Sequence, residues 1–149
     1  MGSKNKKQEK CLYYSVLSNC ISDCELAVDQ AIAIAKESDE KITLLISKLN
    51  YDILKTNTSI MSKIVSFASK KNEYNGCGFT VSHGFDLNDI SSVVLVYDTP
   101  CGEMMRMVYN SAAKDIILIP INKLDWELFC QTMKPILIKP RKEVQCPKI

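Results

Sequence analysis

One histidine and seven cysteines are the side chains of this sequence best suited to chemistry. His83 ends a predicted strand, where it could act as a general base near Cys77 or bind a metal with Cys20, Cys24 and Cys77. Zinc sites usually show paired Cys-x-x-Cys or His-x-x-x-His spacing, and neither pattern occurs here. We therefore expect isolated thiols and a loop-end imidazole, with no catalytic residue, no metal site and no cofactor.

Two further groups of residues could support catalysis. Cys101 stands in a predicted turn, but no basic or histidine neighbour is present to lower its pKa. Asp86, Asp89, Asp98 and Glu103 could hold Mg²⁺, although turn and cap chemistry accounts for acidic residues in these positions. The glycine-rich and nucleophile motifs of nucleotide enzymes and hydrolases are absent. These observations favour a binding protein over an enzyme.

A capping box predicts where the first helix begins. Ser22 and Glu25 have the spacing in which a serine N-cap and a glutamate three residues later exchange hydrogen bonds, and the helix should end near residues 38–39. Asn122 should cap a last helix that ends at Met133 and turns Leu124, Leu128 and Phe129 inward.

The remaining apolar runs predict strands and one more helix. Turn residues between residues 92–97 and residues 103–109 suggest a hairpin. The order β-α-β-α-β-β-β-β-α-β predicts a single α+β domain, with a mixed sheet of five or more strands packed with three helices. The predicted strands are 12–17, 42–46, 79–83, 92–97, 103–109, 116–121 and 136–138, and a further helix includes residues 60–68.

Length and composition suit one intracellular globular domain. The chain has 149 residues, of which 46% are hydrophobic, and no apolar run is long enough to span a membrane. We expect the domain to cover residues 11–138, between a disordered basic tail (1–10) and a basic C-terminal tail (139–149). Because the N-terminus has no apolar signal region and the cysteines are odd in number, we expect a cytoplasmic or nuclear protein with free thiols. Gly2 could be acylated, but Lys6 stands where that motif requires Ser or Thr.

A methionine-rich segment gives the leading functional hypothesis. Methionine side chains adapt to irregular partner surfaces. The predicted strand 103–109 is largely apolar, so it is either buried on both faces or exposes a face that contacts another protein. We predict a non-enzymatic interaction module, a small subunit or adaptor of an intracellular assembly, whose partners are other protein subunits or a second copy. The partner-binding residues would be Met104, Met105, Met107, Val108 and Tyr109.

Nucleic-acid binding is the alternative hypothesis. The net charge of +2 is divided between two basic tails and a body with a charge of about −5, so phosphate contacts would come from the tails. The order of the first six elements resembles that of Alba and of the C-terminal domain of bacterial translation initiation factor three, although the chain carries no residue motif of either family. The candidate residues in the tails are Lys4, Lys6, Lys7, Lys139, Arg141 and Lys142.

Overall fold

The computed structural model describes residues 12–54, 60–83, 91–98 and 113–138, and gives the backbone alone for residues 60, 68, 69 and 98. No helix within these ranges is long and apolar enough to cross a membrane. The elements in chain order are β1 (Leu12–Ser15), α1 (Ile21–Ser38), β2 (Ile42–Ile46), α2 (Lys48–Leu54), α3 (Ile60–Lys71), β3 (Glu73–Tyr74), β4 (Cys77–Ser82), β5 (Val93–Asp98), β6 (Asp115–Pro120), α4 (Lys123–Met133) and β7 (Ile136–Leu137).

The strands form one mixed sheet in the order β3-β4-β2-β5-β6-β1-β7. Neighbouring strands are parallel except for β3 and β4, which are antiparallel. The predicted α+β domain with a mixed sheet is thus confirmed. The described residues hold one helix more than expected. The additional helix is α2, which begins two residues after β2 ends.

The pairing of β5 differs from the predicted hairpin. β5 lies between β2 and β6 and is parallel to both, so neighbours occupy both of its hydrogen-bonding edges. Residues 93–97 are all buried, as expected for a central strand covered on both faces. The hairpin prediction for β5 was therefore wrong. It relied on the turn preferences of Pro100 and Gly102 in the sequence, and not on the apolar run of residues 93–96, which is typical of a central strand. Residues 103–109 lie outside the described part of the chain.

Helices cover both faces of the sheet because the chain winds in both directions. α1 carries the chain from β1 to β2 towards one edge of the sheet, and α4 carries it from β6 to β7 towards the other. Right-handed crossovers in opposite directions place their helices on opposite faces. Alternate residues of the central strands therefore face one of two cores. The core beneath α1 and α3 includes Leu44, Leu95 and Ile117. The core beneath α4 includes Val94, Val96 and Leu118.

The start of α1 corrects the predicted capping box. The helix begins at Ile21 with Cys20 as its N-cap, so Ser22 lies in the first turn. The Ser18 hydroxyl accepts from the Cys20 backbone N–H at 3.2 Å and donates to the Asp23 carboxylate at 2.7 Å. These bonds connect the preceding loop to the first turn of α1, and the helix starts two residues earlier than expected. As predicted, α1 ends near residues 38–39, where Asp39 has a left-handed backbone conformation.

Candidate functional site

α4 is attached to the sheet by a hydrogen bond and a ring contact. Trp126 donates from Nε1 to the Ser15 hydroxyl at 2.8 Å, and that hydroxyl donates to the backbone carbonyl of Val16 at 2.8 Å. Phe129 is buried, and its ring meets Tyr13 edge-on with centroids 6.0 Å apart. As predicted, Asn122 caps the helix, and its Oδ1 accepts from the Asp125 N–H at 3.0 Å. These contacts fix which side of α4 faces outward.

The outward side of α4 carries two leucines that the sequence analysis placed in the core. Leu124 is 72% exposed and Leu128 is 56% exposed. Phe129 does point inward, but Trp126 and Met133 share the inner face with it. Since successive helical residues are about 100° apart, a helix that turns these three residues inward must turn Leu124 and Leu128 outward. The spacing of the three larger side chains was the signal that the prediction missed. We call Leu124 and Leu128 the outer leucine face.

Other exposed apolar residues follow in the next strand. Ile136 and Leu137 of β7 are also exposed, so four of the ten large apolar side chains exposed among the described residues lie between positions 124 and 137. β7 is the last strand in the sheet order and pairs with β1. Exposed edge strands are common sites of pairing with another chain. This part of the fold therefore concentrates apolar surface.

The predicted contact residues lie elsewhere in the sequence. Those of the methionine-rich segment (104–109) and of both basic tails are outside the described residues, so both hypotheses for these segments stay predictions. The same is true of Cys101, Asp86, Asp89 and Glu103, and of Asp98 only the backbone is described.

His83 and Cys77 are separated by the length of β4. They stand at opposite ends of this strand, and six residues of extended chain span about 20 Å. The imidazole Nδ1 donates to the Ile46 carbonyl at 2.9 Å, and its ring meets Tyr51 edge-on with centroids 4.9 Å apart. Cys77 is buried, and burial raises the pKa of its thiol. The structure therefore does not bring these two residues together as a catalytic pair.

The cysteine–histidine metal group considered above is not assembled either. Cys20 and Cys24 lie one turn apart at the start of α1, whereas Cys77 begins β4. Within the described ranges, no three histidine, cysteine or acidic side chains are grouped so that they could hold a metal ion.

A shallow depression lies between α1 and the turn that joins β3 to β4. It has a volume of about 170 Å³ and is lined by Glu25, Val28, Asp29, Tyr74 and Asn75. Pockets that bury a drug-sized ligand usually enclose about 300–1,000 Å³. This depression is too small for such a ligand.

Comparisons with known proteins give no family for this chain. No family model, no curated protein and no solved structure matches it.

Proposed function

We propose that this protein is an interaction module, a small subunit or adaptor that binds another protein chain through the outer leucine face. The observation that carries the proposal is the exposure of Leu124 and Leu128 on a helix whose opposite side is already packed on the sheet. A single exposed leucine is ordinary on a protein surface. Two leucines spaced one turn apart on the solvent side form a stripe of the kind that a partner helix covers.

The chemistry around the two leucines suits a protein partner. Lys123 and Glu127 lie next to them and are exposed, so the apolar residues have charged neighbours of both signs. An apolar centre with a polar rim is the usual composition of a protein interface. Full burial of a leucine side chain contributes roughly 1.5–3 kcal/mol. The expected partner is therefore a protein segment with an apolar face, such as an amphipathic helix.

The test compares two exposed surfaces of the same protein. The double variant Leu124→Asp/Leu128→Asp removes the outer leucine face and adds two negative charges. The control Leu49→Asp on α2 adds one negative charge at another leucine, which is 70% exposed. Size-exclusion chromatography with mass measurement would follow self-association and any stoichiometric partner retained from the native cells. We expect a complex with the wild type and Leu49→Asp, and the free monomer with the double variant. Equal thermal midpoints for the three proteins would show that the substitutions do not unfold the domain.

Two results would contradict the proposal. One is a wild-type protein that stays monomeric at every concentration and retains no stoichiometric partner. The other is a complex that survives the double variant. Met107→Asp in the same assay would test the separate prediction that residues 104–109 bind the partner.

A further inference from the structure

Two cysteines meet at the N-terminus of α1, one exposed and one buried. Cys20 is the N-cap and faces solvent, whereas Cys24 is 2% exposed. The Cys24 backbone N–H donates to the Cys20 carbonyl at 2.9 Å, which holds the two residues one helical turn apart. Neither residue has a role in the proposed interaction surface on α4.

The surroundings of Cys20 favour its thiolate form. Side-chain hydrogen bonding lowers the pKa of the Cys20 thiol, and the Ser22 hydroxyl lies 3.5 Å from the Cys20 sulfur, although the Asp23 carboxylate opposes this shift. The positive end of the α1 dipole also lowers this pKa. Because the thiolate is the reactive form of cysteine, an exposed thiolate at this position is open to electrophiles in solvent.

The surroundings of Cys24 keep it protonated. Burial, and then the charge of the neighbouring Cys20, raises the pKa of the Cys24 thiol to about 12. The Cys24 thiol donates to the Asn19 carbonyl at 3.4 Å. An uncharged product at Cys20 removes one cause of this raised pKa, so Cys24 becomes easier to deprotonate after Cys20 has reacted.

We propose that Cys20 and Cys24 form a peroxide-sensitive dithiol site. An exposed thiolate next to a second thiol is the arrangement of a redox-sensing cysteine and its resolving cysteine. The Cys20 thiolate attacks a hydroperoxide, so that a sulfur–oxygen bond forms, the oxygen–oxygen bond breaks, and the leaving alkoxide or hydroxide takes up a proton. Cys24 then loses its proton and attacks the sulfenic sulfur. A disulfide forms and water leaves, so two thiols and one hydroperoxide give one disulfide, one alcohol or water, and one further water.

Closing the disulfide requires a local change in α1. Side chains one turn apart on a helix have Cβ atoms about 5–6 Å apart, whereas a disulfide needs about 3.5–4.5 Å. Cys20 precedes the helix and has an extended backbone, with ψ at 165°, so it can approach Cys24 if the bond between the Cys24 N–H and the Cys20 carbonyl opens. The oxidised protein should therefore lose the first turn of α1.

The experiment treats the full-length protein with hydrogen peroxide at pH 7 and maps its cysteines by mass spectrometry without reduction. Cys130 is a partly exposed thiol whose pKa burial raises, so it serves as the internal reference. We expect Cys20 to react about tenfold faster than Cys130 or more, because its thiolate fraction is larger. The product should be a disulfide between Cys20 and Cys24, and hydrogen exchange should show a loss of protection in the first turn of α1.

Variants separate the two steps of the reaction. With Cys24→Ala, a dimedone-reactive sulfenic acid should accumulate at Cys20; with Cys20→Ser, an exposed substitution, the rapid oxidation should disappear. The matched control Cys130→Ser should react like the wild type. If Cys20 reacts no faster than Cys130, or if it is oxidised without forming a bond to Cys24, the proposal is wrong. The Cys20→Ser result decides the first step even if Cys24→Ala fails to fold.

Discussion

Ser15→Ala should loosen the attachment of α4 to the sheet. The Ser15 side chain is fully buried, and its hydroxyl accepts the 2.8 Å hydrogen bond from Trp126 Nε1. Alanine keeps the Cβ but leaves the indole N–H without this acceptor. An unsatisfied donor of this kind costs roughly 1–3 kcal/mol. For a domain of this size that corresponds to a fall in thermal midpoint of about 3 °C per kcal/mol, or roughly 3–10 °C.

A double-mutant cycle isolates this hydrogen bond from the packing around it. Trp126→Phe removes the donor, and the cycle with Ser15→Ala is measured by urea unfolding followed by far-ultraviolet circular dichroism. We expect a coupling energy of about 1 kcal/mol between the two positions. Trp126 is the only tryptophan, so its fluorescence in Ser15→Ala reports directly on its surroundings. A coupling energy near zero, together with an unchanged emission spectrum, would refute the claim that this bond holds α4.

Two further changes test the packing of α4 and the burial of a charge in β6. Phe129→Ala should lower the free energy of unfolding by about 3–5 kcal/mol, because it empties a buried site between α4 and the sheet; urea denaturation measures this, and a loss below about 1 kcal/mol would contradict it. Burial raises the pKa of the Asp115 carboxyl, although the Tyr14 hydroxyl and Lys114 partly oppose this. The folded state therefore holds its proton to higher pH than the unfolded state, so stability falls as pH rises from the unfolded value, near 3.9, through the folded value. Asp115→Asn should remove this fall, so the stability of the variant relative to the wild type should increase as pH rises above the unfolded value. The free energies of unfolding of both proteins are measured by urea denaturation at pH 3 and pH 7, and an equal difference between the two proteins at both pH values would show the reasoning to be wrong.

The interior of the sheet followed from local patterns. Residues 42–46 and 116–119 are apolar except for Thr43, and they form the buried strands that such runs predict. Asn122 caps α4 because its side-chain oxygen needs only a backbone N–H three residues away. These features depend on neighbours in the chain, so the sequence is sufficient to locate them.

Two of the failed predictions concern the pairing of β5 and the start of α1. The hairpin prediction for β5 failed because strand pairing is decided by which strands lie on either side, and β2 and β6 come from remote parts of the chain. The capping box failed because Ser18, in the preceding loop, reaches the first turn of α1 and the helix starts at Ile21. In both cases a locally plausible arrangement competed with one that the sequence pattern did not show.

The sequence by itself determined a single α+β domain, the positions of most of its strands and helices, and the absence of the common nucleotide-binding and hydrolase motifs. Only the tertiary structure decided that Leu124 and Leu128 face solvent and that Cys20 is exposed above a buried Cys24. The physical reason is that periodicity shows which residues share a side of a helix, whereas exposure depends on which side packs on the sheet. The side of α4 that packs on the sheet is the one with Trp126 and Phe129, because these side chains bury more surface and the indole N–H donates to Ser15.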